Sequence, residues 1–221
     1  MSLAYVSKLV QSLTSEKNVL LCMSRGLGLL KVIETYLCCL GEGVHILLNF
    51  TKHELCELET KLVVKDLSDC SPQTRVKNYR KGGLIYVTGR TITVDLLEQK
   101  LNPSEIKTLV VNSPEKLASA AHERFVLELM KQAQSSYCLK LFSERPELVQ
   151  SRILEEFEIQ KVLCGSRQDS WISEELSNLP GVWVKETVAI CSRTQRINNM
   201  LLEMIKECIS EIKRTLKVTC S

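Results

Sequence analysis

The sequence predicts an α/β fold in which a parallel sheet is flanked by helices, and two observations support this prediction. Short apolar runs that suit strands buried on both faces alternate with segments whose apolar residues recur at helical spacing. Each run ends in a polar or glycine-containing turn, most clearly after residues 84–87 and 106–111. This order of strand, turn and helix is typical of a sheet whose strands are joined by helical crossovers.

Size and composition place the chain among globular proteins. Its 221 residues can bury the core of one large domain, or of one domain and the start of another. Apolar residues make up 44% and charged residues 25%, which is ordinary for such proteins. No apolar run reaches the roughly 20 residues of a membrane helix, and Lys8, Gln11 and Ser12 interrupt any signal-peptide core. We therefore expect an intracellular protein without a membrane partner.

Charge and cysteine content restrict the kinds of site. A net charge of +3 permits nucleic-acid binding without indicating it. The ten cysteines include no C-x-x-C pair, and none of the three histidines stands at zinc-finger spacing. Several cysteines lie inside apolar runs, where a thiol behaves as a small hydrophobe. We predict free thiols and no metal site.

The first half of the chain supplies three strands and three helices in regular alternation. A glycine-bearing turn, residues 24–28, separates the first strand from the second helix. The predicted segments are a helix at 3–13, a strand at 19–23, a helix from 29 to 40, a strand at 44–48, a helix bearing Leu55, Leu58 and Leu62, a strand at 63–67 and a polar loop at 68–81.

The second half continues this pattern from the strand at 84–87. Residues 91–95 alternate like a strand, whereas Ile92, Leu96 and Leu97 share a helical face, and both interpretations stay open until Asn102-Pro103 ends the element. A strand is predicted at 106–111, followed by a long helix from 113–115 with Leu117, Ala121, Phe125 and Leu129 inward. A strand at 137–142 and a helix at 146–157 come next, with Leu148, Ile153 and Leu154 inward.

The last predicted segments are a strand at 159–164, a loop at 165–181 with a helical turn near Trp171, and a strand at 182–188. The chain then forms a helix from Ser192, with one apolar stripe made of Ile197, Leu201, Ile205, Cys208, Ile212 and Leu216.

The turn after the first strand stands where nucleotide-binding α/β domains hold phosphate. In a working phosphate loop, a lysine directly follows the last glycine and a serine or threonine then binds Mg²⁺. Here Gly26 and Gly28 are present, but Leu29 follows and Lys31 arrives about one helical turn late. Val32 replaces the useful hydroxyl. We predict that this loop does not bind ATP productively.

The segments 82–97 and 106–116 resemble the helicase-like region of the XPF family, the nuclease subunits of structure-specific DNA repair endonucleases. The amino-terminal half of that family is similar to a superfamily-two helicase whose ATPase motifs have decayed. The resemblance runs from about residue 3 to 142 and continues more weakly to the end. The Arg-Gly-Leu-Gly loop at residues 25–28 is also of the family's broken kind.

A second motif departs from working helicases. These enzymes use an Asp-Glu pair, whose Asp holds Mg²⁺ through water and whose Glu polarises the attacking water. The chain has Asn112, Ser113, Pro114 and Glu115 at this place. Asn112 is neutral, Ser113 is no base, and Glu115 comes two positions late. We predict that the chain is not a working ATPase.

Polar residues after the strand at 44–48 are candidate DNA contacts. In helicases this turn touches the sugar-phosphate backbone of a single strand, and Asn49, Thr51 and Lys52 have suitable donors. The alternative is an ordinary helix cap in which Thr51 accepts backbone N–H bonds.

Thr88 and Arg90 end the strand at 84–87, at the edge where open α/β sheets bind ligands. The resemblance implies that this turn contacts DNA, whereas Arg90 could instead pair with Asp95 or Glu98. In the loop at 68–81, basic residues beside Tyr79 could hold phosphates and stack a base. The alternative there is a solvated surface loop.

The leading hypothesis is a non-catalytic lobe that binds DNA and positions partners in a repair endonuclease. We expect a degenerate RecA-like lobe at residues 1–190 and the first helix of a helical insertion at 191–221, in a truncated chain. The resemblance implies a nuclear protein that acts on branched or single-strand/double-strand junction DNA, beside repair scaffold proteins and a non-catalytic heterodimer partner bound through a missing carboxyl-terminal part. It places the nuclease chemistry, with Mg²⁺ or Mn²⁺, in that missing part and no cofactor in this chain.

Two other functions stay open. The first is a divergent ATP-dependent helicase or translocase lobe, which would bind nucleotide near Gly26, Gly28 and Lys31. The second is a stand-alone lobe used for protein contacts alone. Because fold does not settle function, the predicted fold supports all three hypotheses.

Overall fold

Seven parallel strands form one sheet in the computed structural model, which describes residues 3–133, 136–178 and 192–219. The strands are β1 (Asn18–Met23), β2 (Val44–Leu48), β3 (Val64–Asp66), β4 (Gly83–Tyr86), β5 (Ile106–Asn112), β6 (Cys138–Ser143) and β7 (Lys161–Gly165). Their order across the sheet is β3-β4-β2-β5-β6-β1-β7, with every neighbouring pair parallel. The predicted α/β fold is confirmed.

Helices cover both faces of this sheet. They are α1 (Ala4–Ser15), α2 (Leu29–Cys38), α3 (Lys52–Glu59), α4 (Pro72–Lys81), α5 (Gly89–Leu97), α6 (Ala121–Gln132), α7 (Ser151–Glu156) and α8 (Ser170–Ser177). A further helix, α9 (Ser192–Thr219), belongs to a separate compact unit. One core cluster joins the sheet to α1, α2, α3 and α8, and the other joins it to α4, α5, α6 and α7. Alternate residues of β1 serve the two clusters, because successive strand side chains point to opposite faces.

The strand register aligns the carboxyl ends of the central strands. Leu48 pairs with Val111, Asn112 with Phe142, and Cys22 with both Ser143 and Cys164. The turns that follow β1, β2, β5, β6 and β7 therefore lie along one edge of the sheet. This is the edge at which open α/β sheets bind ligands.

The predicted loop at 68–81 was wrong, because most of it is helix α4. Ser71 caps this helix by accepting a hydrogen bond from the Thr74 N–H, and Pro72 follows in the first turn. Its buried face consists of Arg75 and Tyr79 instead of aliphatic residues. A hydrophobic stripe, which is the usual sequence signal for a helix, is therefore missing.

The open choice at residues 91–95 is settled as helix, since α5 runs through them. The long helix expected from 113–115 is instead a 3-10 turn, Pro114–Ala118, followed by α6. The expected inward stripe was right for Leu117, which is buried, and for Leu129, which packs against the core, but wrong for Ala121 and for Phe125, which is 39% exposed. The buried residues of α6 are Val126, Leu127 and Met130.

Two later segments also differ from the prediction. The helix expected at 146–157 is divided into a 3-10 turn, Pro146–Leu148, and the shorter α7, and the predicted inward residue Leu148 is half exposed. The helical turn expected near Trp171 is the full helix α8. The predicted strand at 182–188 lies outside the described residues.

Helix α1 is fastened by groups that are distant in the sequence. The Glu175 carboxylate of α8 accepts hydrogen bonds from the N–H groups of Ala4 and, at 2.8 Å, Tyr5. At the other end, the ammonium of Lys140 donates to the Leu13 carbonyl at 2.6 Å and to the Glu16 carbonyl. Burial lowers the pKa of Lys140 to about 8. Both ends of α1 are thus held by the body of the domain.

The chain divides into two compact units, residues 1–179 and 180–221. Within the second, helix α9 begins at Ser192 as predicted. Its stripe is exposed at Ile197, Leu201, Ile205 and Ile212.

The cysteines agree with the prediction of free thiols over the described residues, where the structure shows Cys22, Cys38, Cys39, Cys56, Cys70, Cys138, Cys164 and Cys208 unbonded. In the same part of the chain, no group of three metal-ligating side chains comes together. None of its helices has the length and apolarity needed to cross a membrane.

Candidate nucleic-acid interface

The turns at the carboxyl edge of the sheet surround a cavity of about 640 Å³. Its lining includes Arg25 after β1, Glu54 of α3, Asn112 at the end of β5, Glu115 after β5, and Arg145 after β6. Both signs of charge are present, so the cavity has no strong preference for an anion.

The glycine-bearing loop at residues 24–28 uses its two glycines to form a turn. Gly26 and Gly28 have φ of +81° and +74°, values that only glycine adopts without strain, and Gly28 is the N-cap of α2. The loop is tied down by Tyr5, whose hydroxyl donates to the Leu27 carbonyl at 2.7 Å. Arg167 also reaches it, because a β-carbon on Gly26 would lie 2.7 Å from the Arg167 Nη2.

Lys31, which follows Gly28 by three positions, forms an ion pair within α2. Lys31 Nζ donates to Glu34 Oε1 at 2.8 Å, and Lys61 binds the other oxygen of the same carboxylate at 3.1 Å. The hydrogen bond with Glu34 is the main reason why the pKa of Lys31 is raised. Lys31 is therefore held along α2 by its own neighbour.

The residues at the Asp-Glu position of helicases form hydrogen bonds within the protein. Asn112, which is 5% exposed, donates from Nδ2 to Glu54 Oε1 at 2.8 Å. Glu115 Oε2 accepts a 2.9 Å bond from Ser143. Ser113 stands at a φ of +53°, in the left-handed region. No carboxylate occupies either of the first two positions of the motif.

After β2, the cap alternative for Thr51 is present in the structure. Thr51 is the N-cap of α3, and its hydroxyl accepts from the Glu54 N–H while Glu54 accepts from the Thr51 N–H and hydroxyl. Because the hydroxyl proton is used in this capping box, Lys52 is the freer donor of the pair; it is exposed. Asn49 has a φ of +62°, and its buried Nδ2 has no hydrogen-bond partner among the described residues.

After β4, Thr88 caps α5 by accepting a 3.2 Å bond from the Thr91 N–H, and Arg90 is exposed in the first turn. The alternative partners for Arg90 were wrong, since Asp95 pairs with Arg75 and Glu98 pairs with Lys100. The structure thus leaves the contact of Thr88 and Arg90 with DNA as a prediction.

An unexpected carboxylate lies beside the first turn of α5. A β-carbon on Gly89 would be 2.5 Å from Glu123 Oε1, so the Glu123 side chain of α6 packs directly on this glycine. Negative charge at this place interacts favourably with the helix N-terminus, as a phosphate would. Nothing local in the sequence connects Glu123 with residue 89.

A buried polar cluster joins α4 to α5. Arg75 donates to both oxygens of the wholly buried Asp95, at 2.6 and 2.7 Å, and the Tyr79 hydroxyl donates to Asp95 Oδ2 at 2.8 Å. Burial, followed by the Asp95 carboxylate, raises the pKa of Tyr79 far above its usual range. The idea that Tyr79 stacks a base was therefore wrong, because its ring lies in the core.

Comparison with curated proteins finds DNA repair endonucleases over nearly the whole chain. The chain is 25% identical to the DNA repair endonuclease UVH1 of Arabidopsis thaliana, over 99% of its own length and 25% of that protein. It is 24% identical to the DNA repair protein rad16 of Schizosaccharomyces pombe, over 96% of the chain and 26% of the relative. Identity to the DNA repair endonuclease XPF of Drosophila melanogaster is 23%, over 96% of this chain and 23% of that protein. The chain thus spans about a quarter of the length of these relatives. No family model matches it.

Solved structures with a similar fold include a helicase domain and a DEAD box protein. The helicase domain of Hef from Pyrococcus furiosus has a TM-score of 0.66 and 19% identity, over 96% of this chain and 47% of that one. A DEAD box protein from Methanococcus jannaschii has a TM-score of 0.57 and 15% identity, over 72% of this chain and 48% of that one. These likenesses establish a helicase-type, RecA-like fold.

Proposed function

From this relationship to XPF-family DNA repair endonucleases, we propose that the chain is a helicase-like lobe that binds DNA and positions repair partners without catalysing a reaction. The observation that carries the proposal is the contrast between two sets of residues on one sheet edge. The groups that would serve ATP hydrolysis are missing or engaged in internal bonds, whereas the two candidate DNA cations, Lys52 and Arg90, are exposed.

The proposed DNA contacts lie in the first turns of α3 and α5. Carboxylates already lie at both helix starts, Glu54 at α3 and Glu123 at α5, so the attraction for phosphate would come from the exposed cations Lys52 and Arg90. Such contacts recognise the backbone and not the base sequence, so affinity should depend on DNA shape and fall steeply with salt. Branched DNA and single-strand/double-strand junctions are the expected ligands.

Replacing Arg90 by alanine, or Lys52 by alanine, should weaken binding to a forked duplex by about three- to tenfold, because each change removes one phosphate contact. The slope of log affinity against log salt should become shallower by about 1 unit for each variant. Fluorescence anisotropy at several salt concentrations would measure both quantities.

Lys107→Ala is the matched control for these variants. Lys107 is also an exposed cation, but it is the second residue of β5, at the amino ends of the strands. Equal affinity in Arg90→Ala, Lys52→Ala and the unmodified chain would show that the assigned edge does not bind DNA. A well-folded chain that shifts no DNA at all would instead favour a lobe used for protein contacts.

Mg-ATP should produce no binding heat with this chain in titration calorimetry. The loop carries no lysine directly after Gly28, Lys31 is paired with Glu34, and Asn112 supplies no charge for Mg²⁺. A similar experiment with ADP would control for binding that needs no γ-phosphate. Saturable binding of Mg-ATP would revive the helicase or translocase alternative.

We further propose that the chain acts within a longer nuclear repair enzyme. The relatives are about four times longer and carry the word endonuclease or repair in their names. Cleavage with Mg²⁺ or Mn²⁺, and pairing with a non-catalytic subunit, would then belong to other parts of that enzyme. Scaffold proteins would dock on this lobe.

A further inference from the structure

A chain of hydrogen bonds connects the lost catalytic position with the candidate DNA-contact helix. Asn112, at the end of β5, donates to Glu54 Oε1 at 2.8 Å. Glu54 Oε2 in turn accepts from the N–H and the hydroxyl of Thr51, at 2.7 and 2.8 Å. Asn112 and Glu54 are 58 positions apart in the sequence and meet at the wall of the cavity. The Asn112 amide thus supports the residue that closes the capping box of α3.

The electrostatics of this pair admit an amide and disfavour an acid at position 112. An ionised Glu54 carboxylate can accept hydrogen bonds but cannot donate them, so each of its oxygens needs a donor. Asn112 is 5% exposed, and an aspartate there would place a second carboxylate at hydrogen-bond distance from Glu54. Two carboxylates so close cannot both ionise without a large cost. The neutral amide therefore satisfies a group that an acidic residue would repel.

We propose that Asn112 is a positioning residue, whose side-chain amide fixes Glu54 in the capping box and so sets the first turn of α3 that presents Lys52. This inference rests on the proposed function where it concerns DNA. It gives the neutral residue at the former catalytic position a use of its own, beyond the loss of ATP hydrolysis.

An exchange of amide and acid between the two positions tests the pairing. Asn112→Asp should lower the urea midpoint of unfolding and weaken fork binding about three- to fivefold, because it creates the carboxylate pair. Glu54→Gln should be nearly neutral, since glutamine also closes a capping box. The double variant Asn112→Asp/Glu54→Gln should regain the midpoint and the affinity, because one amide again faces one acid. Asn102→Asp, which adds the same charge at an exposed cap, is the control.

One further measurement separates positioning from a general loss of stability. Adding Asn112→Asp to Lys52→Ala should weaken DNA binding no further, because the amide acts through Lys52.

The outcomes distinguish this proposal from the proposed function. A midpoint for Asn112→Asp equal to that of the unmodified chain, or no recovery in the double variant, would overturn the pairing, and both are measured without DNA. Normal fork affinity in Asn112→Asp, together with a loss in Lys52→Ala, would overturn positioning alone. An unchanged affinity in Lys52→Ala and Arg90→Ala would reject the DNA assignment and with it the positioning of Lys52.

Discussion

Replacing Asp95 by alanine is expected to lower the free energy of unfolding by about 3–5 kcal/mol, because it leaves the buried Arg75 guanidinium without its counter-charge. Asp95 is wholly buried and accepts three hydrogen bonds, two from Arg75 and one from Tyr79. Arg75 and Tyr79 are only 8% and 2% exposed, so bulk solvent has little access to replace the carboxylate. Urea unfolding followed by circular dichroism would measure the loss.

Tyr79→Phe gives the graded comparison for this cluster. It removes one hydrogen bond and keeps the ring, so the free energy of unfolding should fall by about 1 kcal/mol. Asp69→Ala, at an exposed position in the preceding turn, should change the unfolding free energy little. A loss for Asp95→Ala no greater than for Asp69→Ala would mean that the cluster does not stabilise the fold.

The stability of the unmodified chain relative to Lys140→Met should increase by about 2 kcal/mol between pH 7.5 and 9.5. Burial lowers the pKa of Lys140 to about 8 in the folded protein, below the ordinary value of a lysine. Between these two pKa values the unfolded chain binds more protons than the folded chain, so stability rises with pH. Below the folded pKa both states are protonated and the dependence disappears.

The comparison with Lys140→Met isolates this one group. Tyrosines whose pKa is raised by burial and that lie away from Lys140, such as Tyr79, work in the opposite direction at high pH, but they are common to both proteins and cancel. Urea midpoints at a series of pH values would supply the difference. Parallel pH profiles of the two proteins would show that Lys140 does not titrate in this range.

Helices that bury apolar stripes were predictable, and helices with polar buried faces were not. Strands β1, β2, β5 and β6 were recognised because each is rich in apolar residues, although His45 interrupts β2, Lys107 and Thr108 interrupt β5, and Lys140 interrupts β6. Helix α4 was missed because Arg75 and Tyr79 make its buried contact through Asp95, which belongs to another helix. The four-residue repeat counted from Leu117 was wrong at Ala121 and Phe125, because Leu117 precedes α6, which begins only at Ala121.

In the candidate site, too, some features could be predicted from the sequence and others could not. The turns that hold Thr51, Thr88 and Asn112 could be placed from sequence, since each directly follows a recognisable strand. Their partners could not, because Glu123 approaches Gly89 across 34 positions (123 minus 89) and Glu54 meets Asn112 across 58. Contacts of this kind depend on strand order, which local patterns do not specify.

The position of β1 in the sheet has a consequence for the order in which the chain can fold. Its only described neighbours are β6 and β7, whose residues begin at Cys138 and Lys161. During synthesis, the first strand must therefore wait without a hydrogen-bonding partner until more than half of the chain has emerged. Pairing across such a long separation closes a large loop, which slows folding. Until then the apolar residues of β1 stay open to wrong partners, so a nascent chain of this protein should depend on chaperone protection more than one whose first strands form a hairpin.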